Sequence, residues 1–393
     1  MITREELMGR MQQLQAAVRA QGVDLFLVSA ESSIYYLTGV VYVPMERPFF
    51  ILVRPEGQAL LLVPALEQEH LSAAPNVGDV RHYWDYPSPS GEGWPDRLRE
   101  MLDGVRTLGV EPSLPQEVAV ALHDLAPRTL PLVETLRLRK SPAEVQMLRR
   151  AASYADMGMA KVLAASYHGV SELELFSLGR SVQLDIVKST AFDALTTSTL
   201  TASWPAPASA MPHGVPSPGD RLLDGPHIAL SLMRVNGYAA ECERTYFLAP
   251  PTAQMKEMFA VMRAARERAF ALLRPGVPCA TIDEAANGFL RDEGLGGYLL
   301  HRTGHGFGLG GHEGPWLAAG SSDVLEPNML VSVEPGIYLP GVGGFRHSDT
   351  LLITGDGFEK LTRAPETLDE LVILARRPLL RLKGAVMRRM MRV

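Results

Sequence analysis

Around residues 136–144 the chain changes its patterning, and this break constrains the fold more than any other feature. Residues 136–140 are basic. Ser141-Pro142-Ala143-Glu144 then supplies a helix-capping box with proline at the first helical position. So strong a helix start, about a third of the way along 393 residues, reads as a domain junction. A chain of this length also exceeds what one ordinary core serves, so two domains are expected.

Upstream of the junction, short helix and strand signals alternate. Arg4–Gln21 is amphipathic, with Leu7, Met11, Leu14 and Val18 at helical spacing. Residues 24–28, 49–53 and 59–63 are apolar runs of strand length, and helices are expected around 64–72, 94–102 and 115–122. This predicts a smaller α/β domain over 1–134 with no chemical constellation of its own. Downstream, a long helix should run to about Ser166. A second capping box, Ser171-Glu172-Leu173-Glu174, opens a helix to about Val187. Two more helices are announced by Thr252, with Met255, Met258, Phe259 and Met262 as its buried stripe, and by Thr281-Ile282-Asp283-Glu284. Strand runs lie at 227–233, 237–247, 330–333 and 350–354. The domain over 135–372 therefore reads as α+β, with helices covering one face of a mostly antiparallel sheet.

Residues 373–393 form a basic C-terminal tail. Arg376, Arg377, Arg381, Lys383, Arg388, Arg389 and Arg392 occur there with no acid. Pro378 offers a start for a basic amphipathic helix suited to a membrane surface or a partner. The expectation is instead a strand to about Leu374 followed by a solvated or disordered tail.

Composition removes several classes of function. A net charge of −6 gives no reason to expect nucleic acid as a partner, and no run approaches the roughly 18 apolar residues of a membrane span. Hydrophobic content of 46% and charged content of 21% suit a soluble globular chain. The N-terminus opens a charged helix without an apolar signal core. Two cysteines, Cys242 and Cys279, are too few for a disulfide framework, so a reducing cytoplasm is expected.

Chemistry concentrates in the second part. His301-Arg302-Thr303-Gly304-His305-Gly306-Phe307-Gly308-Leu309-Gly310-Gly311-His312-Glu313-Gly314-Pro315 holds three histidines and a carboxylate among six glycines. Histidine transfers protons near neutrality and binds metals, and glycine lets backbone approach a ligand closely. Met211-Pro212-His213-Gly214 follows a Ser/Thr/Ala-rich loop containing Trp204. Glu241 and Glu243 share one face of the strand that begins at Gly237-Tyr238. Then come Ser332-Val333-Glu334-Pro335-Gly336-Ile337-Tyr338 and Gly344-Phe345-Arg346-His347-Ser348-Asp349. Taken singly, each has a dull explanation: a hydrogen-bonded His213, a solvated Glu pair, a turn at Glu334. Together they are harder to dismiss, since apolar strands seldom bury carboxylates without partners.

These clusters, in this order, resemble the pita-bread hydrolases: creatinase, prolidase, Xaa-Pro aminopeptidase and methionine aminopeptidase. Ser33-Ile34-Tyr35-Tyr36-Leu37-Thr38-Gly39 is similar to the signature of their creatinase-like N-terminal domain, and residues 136–151 to the usual entry into the catalytic domain. The likeness runs to about residue 370. It implies a pita-bread catalytic domain preceded by the smaller α/β domain, and usually a homodimer whose partner reaches the site through residues such as Tyr42 or Arg47.

The family's peptidases hold two divalent metals on Asp, Asp, His, Glu and Glu. In this chain the resemblance matches those positions to Leu230, Glu241, His305, Glu334 and Ser348. Leucine offers no ligand and serine a poor one, while a dinuclear site needs bridging oxygens to hold ions about 3.5–4 Å apart. The resemblance therefore implies a metal-independent hydrolase of a C–N bond in a small amide or amidine, creatinase-like or ectoine-hydrolase-like, with no cofactor expected. His213, Glu241, Glu334 and His312 are its expected catalytic residues; His301, His305, Arg346 and Tyr238 its substrate-binding ones. His213 shuttles a proton, and Glu241 or Glu334 acts as base or nucleophile, one of the pair with a raised pKa. His305 and His312 face the developing oxyanion, and Arg346 orients a carboxylate. Trp204, Phe307 and Tyr338 are candidate pocket walls. A second reading is an Xaa-Pro dipeptidase or aminopeptidase using one divalent metal (Mn, Zn or Fe) on Glu241, His305 and Glu334. A third is a non-catalytic ligand-binding member of the fold.

Overall fold

α1 (Arg4–Gln21) begins where the Thr3 hydroxyl accepts the Glu6 N–H and ends at Gly22, whose φ of 64° closes the last turn. Its stripe of Leu7, Met11, Leu14 and Val18 is buried, the face selected by the helical period. The computed structural model describes residues 2–392 and divides into two units after Leu138. In the first, β1 (Leu25–Val28), β2 (Phe50–Val53), β3 (Ala59–Pro64), β4 (Val77–Tyr83), β5 (Leu108–Val110) and β6 (Arg128–Thr129) form a mixed sheet ordered β4-β3-β2-β1-β5-β6. Around it lie α2 (Glu31–Thr38), α3 (Gln68–Leu71), α4 (Trp94–Met101), α5 (Gln116–Ala121) and α6 (Leu132–Leu138). Leu25, Leu27, Phe50, Leu52, Leu98, Val110 and Val118 meet in one core. β1 and β2 are buried at every position, which is why both read as unbroken apolar runs. This unit extends past the boundary expected at 134, because α6 buries Leu132 and Val133 and packs on α1.

The second unit is built on antiparallel strands. These are β7 (Val170–Ser171), β8 (Ser198–Trp204), β9 (Arg221–Leu222), β10 (His227–Val235), β11 (Tyr238–Tyr246) and β12 (Gly304–Gly306). They continue with β13 (Glu313–Leu317), β14 (Leu330–Ser332), β15 (Gly336–Leu339), β16 (Gly343–Arg346), β17 (Ser348–Ile353) and β18 (Phe358–Lys360). The main sheet runs β13-β12-β14-β17-β11-β10-β8, with β18 on β17, while β15 pairs β16 and β7 pairs β9. In the β10–β11 pair, Leu230 lies opposite Glu243 and Leu232 opposite Glu241.

The helices of this unit are α7 (Pro142–Ala165), α8 (Glu172–Phe176), α9 (Leu178–Ser189), α10 (Ala253–Phe270), α11 (Cys279–Asp283), α12 (Phe289–Asp292), α13 (Leu368–Leu371) and α14 (Pro378–Met391). α7 carries the expected capping box: Ser141 Oγ accepts the Glu144 N–H at 3.2 Å, and Glu144 Oε2 accepts the Ser141 N–H at 3.0 Å. It lies against β10 and β11, an approach that Gly158 permits, since a Cβ there would sit 2.2 Å from Ser231 Oγ.

Several expectations change. The helix expected from Ser171 to Val187 is two helices, α8 and α9. The one expected at Thr281 starts at Cys279 and passes through a π turn, Glu284–Gly288, before α12. The Ser/Thr-rich segment before Trp204 is not a loop but edge strand β8, paired along its length with β10. Its buried hydroxyls are satisfied, Thr201 by Leu175 O at 2.9 Å and Ser203 by Tyr246 Oη at 2.7 Å, so tertiary pairing overrides composition. The solvated or disordered tail gives way to helix α14. No helix among the described residues is long and apolar enough to cross a membrane.

Candidate active site

β11 is buried along its whole length and presents Glu241 and Glu243 on one face, with Cys242 on the other. β12 brings in His305 between two glycines that allow close strand packing. A Cβ on Gly304 would lie 2.0 Å from Ser332 O, and one on Gly306 2.0 Å from Gly314 O. Glu334 follows β14, its N–H donating to Thr303 O at 2.7 Å. Arg346 ends β16 and Ser348 opens β17. That turn is held from behind by buried Asp349, which accepts from Arg244 Nη2 at 2.9 Å, from Arg266 and from Thr362 Oγ1 at 2.7 Å.

These elements converge on two carboxylates and a histidine. His305 Nε2 is 3.2 Å from Glu334 Oε1 and 3.8 Å from Glu241 Oε1. Its Nδ1 donates to Gly306 O at 3.1 Å, leaving Nε2 to face the acids. Ser348 Oγ donates to Glu241 Oε1 at 3.2 Å. Burial, and then the charge of Glu334, push the Glu241 carboxyl well above the usual carboxylate range. Burial acts the same way on Glu334, but His305 outweighs it and holds that carboxyl low. Burial disfavours charge on His305, yet its contact with Glu334 and the nearby carboxylates keep its pKa above the usual imidazole value. The cluster therefore favours charge on the His305–Glu334 pair and disfavours it on Glu241.

A second chain of contacts flanks it. Arg346 Nη2 donates to Glu243 Oε1 at 2.5 Å and Nη1 to Tyr338 Oη at 2.9 Å. Tyr338 Oη lies 2.7 Å from His301 Nε2, and His301 Nδ1 donates to Arg302 O at 2.7 Å. The His301 ring, so used, accepts from the tyrosine; burial, its largest influence, lowers its pKa. The His312 ring stacks on His305 with centroids 3.8 Å apart, and burial followed by the charge of His305 lowers its pKa to about 4.

A cavity of about 720 Å³ opens onto this floor. Glu241, Glu243, Glu334, Arg346, His301 and His312 line its polar end. Phe176, Leu200, Trp204, Pro218, Leu230 and Leu232 line its apolar wall. His213 sits at the cavity on an exposed loop and makes no hydrogen bond among the described residues. His305 is fully buried behind Glu334 and does not line the cavity. Tyr338 acts through His301 and Arg346 rather than as a wall, and Phe307 packs edge-on to His305 at 4.8 Å.

Tyr238 is a correction. It lies three residues before Glu241 on an extended strand, hence on the opposite face, and its hydroxyl donates to Glu144 Oε1 at 3.2 Å, away from the cavity. Tyr42 is buried against Phe49, and Arg47 is held by Asp85 Oδ1 at 2.7 Å. Sequence reasoning missed Glu172. Read only as part of a cap, it is buried in the cavity wall, where Oε2 accepts the Ser203 N–H at 2.8 Å. Burial pushes its pKa to about 8. The available signal was its place between the two capping residues, where a carboxylate has no capping duty.

Glu241, His305 and Glu334 each offer one ligand atom within 4.8 Å of the others, the one such group among the described residues. Two carboxylates and an imidazole suit a single divalent cation. Around this group, Glu243 gives one oxygen to Arg346 and keeps Oε2 without a hydrogen-bond partner, Leu230 is aliphatic, and Ser348 brings only a hydroxyl.

Residues 146–355 match the model of metallopeptidase family M24, and residues 10–139 match the creatinase/prolidase N-terminal domain. The chain belongs to metallopeptidase family M24. An uncharacterized peptidase of Staphylococcus aureus (strain USA300) is 29% identical over 345 residues, covering 87% of this chain and 95% of the relative. Among solved structures, the dipeptidase PepE of Mycobacterium ulcerans aligns with a TM-score of 0.82 at 27% identity, covering 93% of this chain and 98% of its own. The Xaa-Pro dipeptidase of Bacillus anthracis aligns at 0.78 and 28% identity, over 93% of this chain and all of its own (100%). The M24 assignment carries the pita-bread fold and hydrolysis of C–N bonds at the level of the family.

Proposed function

We propose that this M24 member hydrolyses a C–N bond in a small amide or amidine without a metal ion, as a creatinase-like or ectoine-hydrolase-like enzyme. The observation that carries this is the donor set: Leu230 and Ser348 stand where the resemblance places two acidic ligands, and nearby Glu243 is committed to Arg346. Glu241 or Glu334 serves as general base toward water, or as the nucleophile whose oxygen bonds to the substrate carbon as the C–N bond breaks and the nitrogen leaves, giving an acyl anhydride or amidino carboxylate that water then hydrolyses. In either route His213, at the cavity mouth, delivers a proton to the departing nitrogen. His312, backed by His305, hydrogen-bonds the oxygen or nitrogen that gains charge. Arg346 and His301, braced by Tyr338, orient an anionic or carbonyl group of the substrate. The apolar wall from Phe176 to Trp204 takes the remainder of the molecule. A cytoplasmic homodimer is the setting we assign to this activity.

The Glu241–His305–Glu334 group supports a second reading, an Xaa-Pro dipeptidase or aminopeptidase working with one metal. Bound there, a divalent cation would supply Lewis-acid polarisation of the scissile carbonyl. Metal analysis of the purified protein, with chelation and Mn²⁺ or Co²⁺ re-addition on Xaa-Pro dipeptides and on guanidino and amidine compounds, separates the two. Chelator-resistant turnover of an amidine supports the first reading. Peptidase activity restored by metal refutes it.

A further inference from the structure

The terminal helix α14 lies beyond the matched family regions and takes no part in the active site. Its inner face is fixed to the body of the second unit. Arg377 Nε donates to Ser166 O at 3.0 Å, Arg381 Nη2 to His168 O at 2.8 Å, and Arg388 pairs with Glu174. Gly384 meets Glu174 and Tyr167 so closely that a Cβ would lie 1.9 Å from Glu174 Oε1. The outer face is apolar and uncovered: Leu379 is 80% exposed, Leu382 66%, Val386 52% and Met390 77%. Steps of three and four residues place these four side chains in one stripe. Lys383 and Arg389 flank that stripe on either side, and with Arg376 and Arg392 they make no ion pair among the described residues.

We propose that α14 seats the protein on an anionic lipid surface, its stripe entering the headgroup boundary and its flanking cations meeting lipid phosphates. Charge complementarity selects this occupant. Residues 373–393, which include α14, carry seven Lys and Arg and no acid in a chain whose net charge is −6, so the positive field is local. A second copy of the chain is a poor fit, because matching stripes would bring Lys383 and Arg389 against their counterparts. A bilayer offers both an apolar interior and fixed negative charge, and a helix already fastened on its inner face docks without ordering a free tail.

The test is cosedimentation of the full-length protein with vesicles of phosphatidylcholine alone and of phosphatidylcholine with phosphatidylglycerol. Binding to the anionic vesicles should exceed that to neutral ones by at least about tenfold, since each cation near the surface contributes roughly fivefold. It should fall steeply as salt is raised. Leu382→Glu with Val386→Glu should remove binding, and Lys383→Glu with Arg389→Glu should remove the preference for anionic vesicles. All four positions are exposed, so melting and hydrolytic activity should stay unchanged. No binding, or equal binding to both vesicle types, overturns the proposal. So does a change of oligomeric state in the Leu382→Glu, Val386→Glu variant without vesicle binding in the parent, which would make the stripe an interface between copies.

Discussion

Leu230 and Glu243 are directly opposed residues on β10 and β11, and the glutamate side chain spends one oxygen on Arg346 at 2.5 Å. An aliphatic residue on one strand thus faces an acid on the next, and the acid is neutralised by a guanidinium held within the protein. The pair is buried, with Glu243 Oε2 and Arg346 Nε lacking hydrogen-bond partners.

Removing one partner should therefore be costly. Arg346→Met is expected to destabilise the fold by about 3–5 kcal/mol, because it strands a buried carboxylate. The double variant Arg346→Met, Glu243→Leu should recover most of that loss. Urea unfolding of the two single variants and the double variant measures this, and additive losses would show that the pair is not coupled.

Metal stoichiometry should follow the acids. If Leu230 and Ser348 are what limits the site, the parent binds at most one Mn²⁺ per chain. Leu230→Asp with Ser348→Glu should then bind two. Titration calorimetry with elemental analysis reads the difference, and two ions on the parent protein would sink the idea.

Glu241 is expected to be indispensable to turnover. Glu241→Gln keeps the shape and the hydrogen bond from Ser348 but removes the titratable group. The rate constant on any identified substrate should drop by about 10²–10⁴-fold. Unchanged turnover would take Glu241 out of the chemistry.

Glu172 gives a pH-dependent prediction. Burial raises its pKa from 4.5 to about 8, so above pH 4.5 the folded chain keeps a proton that the unfolded chain has lost. Stability then declines as pH climbs through that window. Glu172→Gln keeps an oxygen for the Ser203 N–H and removes the penalty. At pH 8 the variant should melt higher by at least about 1 °C, the effect of about 1 kcal/mol in a protein of 393 residues, with no gain at pH 4.5. An equal melting temperature at pH 8 would mean the acid is better solvated than its burial implies.

The long elements were legible because their signals are local. The Ser141–Glu144 box announced α7, and apolar runs announced β1, β2, β10 and β11. The strands that frame the site were harder to read. β12, β15 and β16 are glycine-rich and carry little periodicity, and β8 is written in hydroxyl residues that only its pairing with β10 makes strand-like. Within the site, motif order singled out Glu241, His305, Glu334 and Arg346. Strand parity, available from the sequence, would have turned Tyr238 away from them. The bond from Glu243 to Arg346 was not readable, because it joins two strands whose proximity depends on the folded sheet.

Glu241 comes from β11, His305 from β12 and Glu334 from the turn after β14, with the excursion through α10 to α12 lying between the first and second. No stretch of nascent chain holds a working fragment of the centre. On the mechanism proposed above, the protein becomes competent only when its last strands close onto strands made much earlier. A chain truncated before Glu334 should be inert, so unfinished copies released into the cell cannot cut anything.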